Sequence, residues 1–225
     1  MAFVDRTEAG RQLAKALGKF AGDDVVVYAL PRGGLPIGYE VAKALGCPLD
    51  VILVRKIRAP FQPELALGAI VDGEKPEIVL NEMPGDYEPT EEAIKSAAAL
   101  ELKEIERRRT IYLPGRKPEP AGGKVAIIVD DGLATGATAR AAVHALRRQH
   151  PKRLVLAVPV GPRDTVADLQ TEVDELICLE TPAWFDAVGS FYQDFSQVTD
   201  QEAVAILAAA REATDTKRIK GGNQN

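Results

Sequence analysis

Five consecutive apolar residues, 125 to 129, run directly into two adjacent carboxylates, Asp130 and Asp131, and then into the loop Gly-Leu-Ala-Thr-Gly-Ala-Thr at 132–138. A short, β-branched run without polar alternation suits a strand buried on both faces, as in parallel sheets covered by helices. The alanine-rich residues that follow have helical spacing, so the segment reads as strand, tight loop and helix. The same rhythm recurs along the chain. Runs at 25–30, 49–56, 124–131, 153–160 and 174–180 read as strands, and helical stretches separate them. After the first run, the Gly-rich turn at 31–34 leads into a helix that Gly46 can end. The expected fold class is therefore α/β, a doubly wound and mostly parallel sheet whose ligand site lies beyond the carboxyl ends of its strands.

Two segments interrupt the alternation. Residues 88–113 form a long helical stretch rich in Ala, Glu, Leu, Lys and Arg, with Thr90 as its cap. Ala93, Ile94, Ala97, Leu100 and Ile105 supply its apolar face. It reads as a packing or dimer element, which leaves a homodimer open. Its run of Arg residues at 107–109 reads as a charged helix end that complements the dipole. A Pro/Gly linker follows. Past residue 180, aromatics concentrate in a chain where they make up 5% of residues, before a last helix from about Asp200. One domain over 1–215 is expected, with an insertion at about 56–120 and a small hood at about 180–200. Residues 216–225 read as a flexible tail.

Composition excludes some roles. A net charge of −5 and a pI near 5.3 disfavour a nucleic-acid or membrane-surface protein. No apolar run reaches the roughly 20 residues of a membrane span, and the acid-bearing, helical N-terminus does not look like a secretory signal. Cys47 and Cys178 stand far apart without CxxC or Cys/His company, so two reduced buried thiols in a cytoplasmic protein are expected rather than a disulfide or metal site.

In the loop after Asp131, Gly132 and Gly136 permit backbone angles closed to other residues. The amides of residues 134–138 can then form an anion nest at a helix N-terminus, with the hydroxyls of Thr135 and Thr138 beside it. Acids repel phosphates, so the pairing makes sense when the acids hold neutral hydroxyls or a metal while the nest holds the charge. A sugar phosphate satisfies both halves. There is neither a GxxxxGK[ST] loop nor a GxGxxG motif in this segment.

The pattern of four apolar residues, two acids, three intervening positions and Thr-Gly-x-Thr resembles the phosphoribosyl-pyrophosphate (PRPP) signature of type I phosphoribosyltransferases. That resemblance implies a Rossmann-like phosphoribosyltransferase fold with a small hood, in which the long helix at 88–113 is an unusual elaboration of the flap region. It implies that Asp130 and Asp131 hold the ribose 2- and 3-hydroxyls and that Ala134, Thr135, Gly136, Ala137 and Thr138 bind the 5-phosphate. Arg32, Gly33 and Gly34 correspond to the pyrophosphate loop, where many members carry a non-proline cis peptide, here Pro31–Arg32. Arg55 and Lys56 end the next strand and are expected to reach the pyrophosphate. Arg58 reads equally as flap residue or solvated surface. Catalysis would rest on Asp130, Asp131 and Arg32. Mg²⁺ would be held largely by substrate oxygens and water, with Asp130 and Asp131 contributing indirectly.

The implied partners are PRPP and a nitrogen acceptor, a nucleobase or similar molecule, in Mg²⁺-dependent nucleotide salvage. The hood loosely resembles the base-covering segment of purine-salvage members. On that analogy Trp184 or Phe185 stacks on the acceptor and Asp194 faces its polar edge or the metal; a hydrophobic cluster closing the domain accounts for these residues equally well. Hypoxanthine-guanine members carry an acid at the position of Ala134, whereas adenine- and uracil-type members tolerate alanine. The alternative function is a regulator that senses PRPP or a nucleotide without turnover. The low pI and the lack of a helix-turn-helix-like N-terminal extension favour the enzyme.

Overall fold

The computed structural model describes residues 2–59, 62–72, 76–80, 89–115 and 117–221. Helix α1 (Arg6–Ala16) leads to strand β1 (Val25–Ala29), helix α2 (Gly34–Leu45) and strand β2 (Leu49–Val51). An insertion then contributes β3 (Val54–Ala59), β4 (Gln62–Val71), β5 (Glu77–Leu80) and α3 (Glu91–Tyr112). After it come β6 (Val125–Val129), α4 (Ala137–Arg147), β7 (Arg153–Val160), α5 (Arg163–Gln170), β8 (Glu175–Glu180) and α6 (Asp200–Gly221).

The main sheet has the order β2-β1-β6-β7-β8, and every pairing in it is parallel. From β1 the chain winds outward to β2 on one side. From β6 it winds through β7 to β8 on the other. The winding therefore reverses between β1 and β6, where Val27 pairs with Ile127. Crossovers leave in opposite directions there, so a crevice lies between the carboxyl ends of these two strands. Residues 30–34 and 130–136 enter that crevice from either side.

Burial follows the two-residue period of the strands. Val25, Val27 and Ala29 of β1, with Val125, Ile127 and Val129 of β6, pack in one core cluster with residues of α1, α2, α3 and α6. Val26 and Tyr28, with Ala126 and Ile128, pack in the other with α4 and α5. Each fully buried aliphatic side chain contributes on the order of 1.5–3 kcal/mol by leaving water. This two-sided burial explains the unbroken apolar runs in the sequence.

The run at 49–56 is split between two sheets. Ile52 N still donates to Ala29 O at 3.1 Å, but at Val54 the chain enters a separate three-stranded antiparallel sheet, ordered β3-β4-β5. Hydrophobic continuity does not encode which neighbour a strand pairs with, so the break is not visible in the run itself. Helix α3 packs on β3 and β4. It begins at Thr90, whose side chain accepts from Ala93 N at 3.2 Å. At the other end of the chain, the backbone of 216–221 continues α6 as helix.

The hood is stapled to the beginning of the chain. Ala2 N and Phe3 N both donate to Phe191 O at 3.0 Å, and Gln193 N and Asp194 N donate back to Phe3 O and Val4 O at 2.9 Å. Phe3, Ala9, Val160 and Tyr192 form a small third core beneath it.

Candidate active site at the switch point

Strand β1 is followed by Leu30, whose N–H donates to Val129 O at 2.9 Å. The Pro31–Arg32 peptide is cis, and Gly33 leads into α2. A Cβ placed on Gly33 would lie 2.0 Å from Asp131 Oδ2. Only a residue without a side chain lets the two loops approach this closely.

Across the crevice, Asp130 Oδ1 accepts the Asp131 amide at 2.9 Å. Asp131 Oδ2 accepts from Arg6 Nε at 2.9 Å, and Asp131 O accepts from the Tyr192 hydroxyl at 2.6 Å. Burial and the charge of Asp131 push the Asp130 carboxyl well above the usual carboxylate range. Burial raises Asp131 too, while Arg6 draws it back down.

Beyond the carboxylates, the chain turns sharply at Gly136, whose φ of +72° lies in the left-handed region. This residue starts α4, and the amides of 137 and 138 belong to its first turn, whose N–H groups have no helical partner and can serve an anion. The Thr165 hydroxyl donates to Ala134 O at 3.0 Å and pins the loop from beneath. A cleft of about 130 Å³ lies over this turn, lined by Asp130, residues 132–139, Lys56 and Val188. The expected phosphate-binding residues Ala134, Thr135, Gly136, Ala137 and Thr138 are thus contiguous along one wall.

The two basic residues of β3 part company. Successive side chains on a strand point to opposite faces. Lys56 lines the cleft, whereas Arg55 Nε lies 2.7 Å from Glu101 of α3. Arg32 Nη1 lies 3.5 Å from Asp200 Oδ1, and Asp200 also accepts from the Tyr112 hydroxyl and from Arg107 at 3.3 Å. The arginines at the end of α3 are employed in pairs: Arg108 meets Glu104 at 2.7 Å, and Arg109 meets Asp72 at 2.8 Å.

The hood reaches the carboxylates through residues the sequence reading did not single out. Tyr192 holds the Asp131 carbonyl, and the Phe195 ring lies 3.8 Å beneath the Arg6 guanidinium. Of the residues named for the acceptor, Trp184 is 92% exposed and Phe185 stacks on Phe191 at 5.5 Å. Asp194 accepts from Ser196 N at 2.8 Å and from the Ser196 hydroxyl, which together hold its carboxyl below the usual range. Arg6, Tyr192 and Asp200 carry no motif in the sequence. Their link to the site consists of contacts spanning 61 to 168 positions.

A doubly wound parallel sheet with an acid pair and two glycine-bearing loops at its switch point has the fold of the type I phosphoribosyltransferases. The sequence profile of the phosphoribosyl transferase domain matches residues 6–196, and the chain belongs to that family. It is 49% identical over 210 residues to two Mycobacterium tuberculosis proteins, from strains CDC 1551 and H37Rv, whose names assign phosphoribosyl transferase activity provisionally. The match covers 92% of this chain and 47% of theirs, so the chain spans about half the length of these curated relatives. A crystal structure of a Thermus thermophilus protein superposes with a TM-score of 0.79 at 40% identity, covering 93% of this chain and 99% of that one.

Proposed function

We propose that this protein catalyses Mg²⁺-dependent transfer of phosphoribose from PRPP to a nitrogen acceptor, with release of pyrophosphate. The observation that carries the reading is the approach of Gly33 to Asp131, which sets the two loops on either side of one carboxylate pair. A ligand with vicinal hydroxyls between two phosphate-bearing ends matches that order of groups.

In this reading, the amides of Ala134 to Thr138 hold the 5-phosphate, and Asp130 and Asp131 accept hydrogen bonds from the ribose hydroxyls. The bond from ribose C1 to the pyrophosphate oxygen breaks with its electron pair passing to oxygen, and the acceptor nitrogen supplies the new pair to C1. Arg32, the Gly33 amide and Lys56 stabilise the charge gathering on the leaving group, where preorganised donors matter most, whereas the expected Gly34 amide already donates to Leu30 O at 3.0 Å. Arg55, paired with Glu101, would have to exchange that partner to take part. No covalent intermediate on the protein is required, because positioning and leaving-group stabilisation carry the step.

Two adjacent carboxylates suit a hard cation. Among the described residues no three His, Cys, Asp or Glu side chains converge as a cage, so a Mg²⁺ ion beside Asp130 and Asp131 would take its remaining ligands from substrate and water. When bound, the ion would neutralise charge on the pyrophosphate oxygens. A nucleobase acceptor would place the reaction in nucleotide salvage. Among the described residues no helix is long and apolar enough to cross a membrane.

The test is release of pyrophosphate from PRPP by the purified protein, with Mg²⁺ and a panel of bases and simple amines. Acceptor-dependent release is expected. Tight PRPP binding with no release for any acceptor would favour the sensing regulator, and failure to bind PRPP would remove the transferase and leave only a regulator that senses a nucleotide.

A further inference from the structure

Arg6 stands at the first position of α1, yet its side chain is directed into the site and the residue is 9% exposed. Its Nε lies 2.9 Å from Asp131 Oδ2, and its Nη1 donates to Ser196 O at 2.8 Å. The guanidinium lies over the Phe195 ring at 3.8 Å and near the Tyr192 ring at 6.0 Å. One planar cation therefore touches a carboxylate from the end of β6, a carbonyl of the hood and two hood aromatics. A guanidinium can do this because its donors form a fixed fork and its face stacks on rings.

We infer that Arg6 is a positioning residue, which fixes the Asp131 carboxylate for a ribose hydroxyl and ties the acceptor-side hood to the sugar site. The inference rests on the sugar-phosphate reading of the crevice. Arg6 engages Oδ2 and leaves Oδ1 as the oxygen through which Asp131 addresses a hydroxyl. The same Oδ2 is the Asp131 atom nearest Gly33, where a Cβ would lie 2.0 Å from it, so this oxygen is confined by a cation and a main chain together. A buried ion pair is a poor device for stability alone, since an apolar pair of similar volume often serves as well. Here one partner is needed as a carboxylate, and the cation that orients it comes from the segment stapled to the hood.

The experiment measures the affinities of ribose 5-phosphate and inorganic phosphate by calorimetry, with melting temperatures recorded for every variant. Inorganic phosphate probes the 134–138 nest alone; ribose 5-phosphate adds the hydroxyls. Arg6→Gln should weaken ribose 5-phosphate by about tenfold, the scale of a charged hydrogen bond, and leave phosphate within about twofold. In an Asp131→Asn background the same substitution should add little, because both act through one contact. Arg6→Lys keeps the charge without the fork and should lose at least about threefold of the sugar preference, so it decides the matter if Arg6→Gln does not fold. An unchanged preference, equal losses for both ligands, or full additivity with Asp131→Asn would overturn the role. A wild-type protein that binds ribose 5-phosphate no better than phosphate would instead remove the sugar-phosphate reading beneath it.

Discussion

Arg32 and Asp200 meet at 3.5 Å across 168 positions of sequence, joining the turn after β1 to the first residue of α6. Arg107 and Tyr112 from the inserted helix hold the same carboxylate. Asp200 is thereby kept ionised, its carboxyl below the usual range chiefly through the Tyr112 hydroxyl. The long contact leaves Arg32 easily recruited by an anion, with Asp200 as its competitor. Asp200→Asn keeps the acceptor and removes the charge, so pyrophosphate should bind about two- to fivefold tighter at low salt, with the gain shrinking as salt screens it. Weaker binding in calorimetry would show that Asp200 orients Arg32 rather than competing for it.

Arg32 itself should discriminate between ligands. Arg32→Ala is expected to weaken PRPP and pyrophosphate by about tenfold or more, while ribose 5-phosphate stays nearly unchanged, because the nest and the carboxylates lie on the other loop. Equal losses for all three ligands would mean a general disturbance of the crevice.

Gly33→Ala puts a methyl group where Asp131 Oδ2 now lies, at 2.0 Å. The carboxylate has to move, and Arg6 has to move with it. The variant should remain folded, keep phosphate binding and lose most of its affinity for ribose 5-phosphate. Retained sugar affinity, measured by calorimetry, would show that the two loops can separate without cost.

Stability should depend on pH through Asp130. Its folded-state pKa lies above the unfolded value, so the native state holds its proton more tightly. That preference favours folding at low pH and is lost as pH rises through the raised pKa, above which a buried charge must be tolerated. Asp130→Asn, neutral at every pH, should therefore melt higher than wild type at pH 8, and the difference should shrink on acidification towards pH 4. A gap that stays constant or widens on acidification would contradict the sign.

The acceptor preference should follow Ala134. This loop residue is exposed beside the cleft and has no side-chain group for proton transfer to or from a purine ring nitrogen. Hypoxanthine and guanine are expected to be poor acceptors beside adenine or uracil. Phe185→Ala should harm acceptor use more than Trp184→Ala, since Phe185 packs on Phe191 while Trp184 is 92% exposed. Efficient turnover of hypoxanthine would overturn the reading of Ala134.

What the amino-acid order determined here is local. The apolar run at 125–129 made β6 a two-sided buried strand, and the glycine at 136 set the turn that opens α4. Thr90 marked where α3 begins. Each follows from periodicity or backbone chemistry within a few residues, and the signature loop is legible for that reason. Tertiary structure decided the partners. The run at 49–56 gave no sign that its second half leaves the main sheet, because hydrophobicity records burial and not the identity of the neighbour. The alternation along β3 directs Lys56 to the cleft and Arg55 to Glu101, a division that depends on which face α3 covers. Arg6, Tyr192 and Asp200 are ordinary residues in their own segments; they join the site because a switch in winding direction gathers the ends of β1 and β6, the hood and the inserted helix around one crevice.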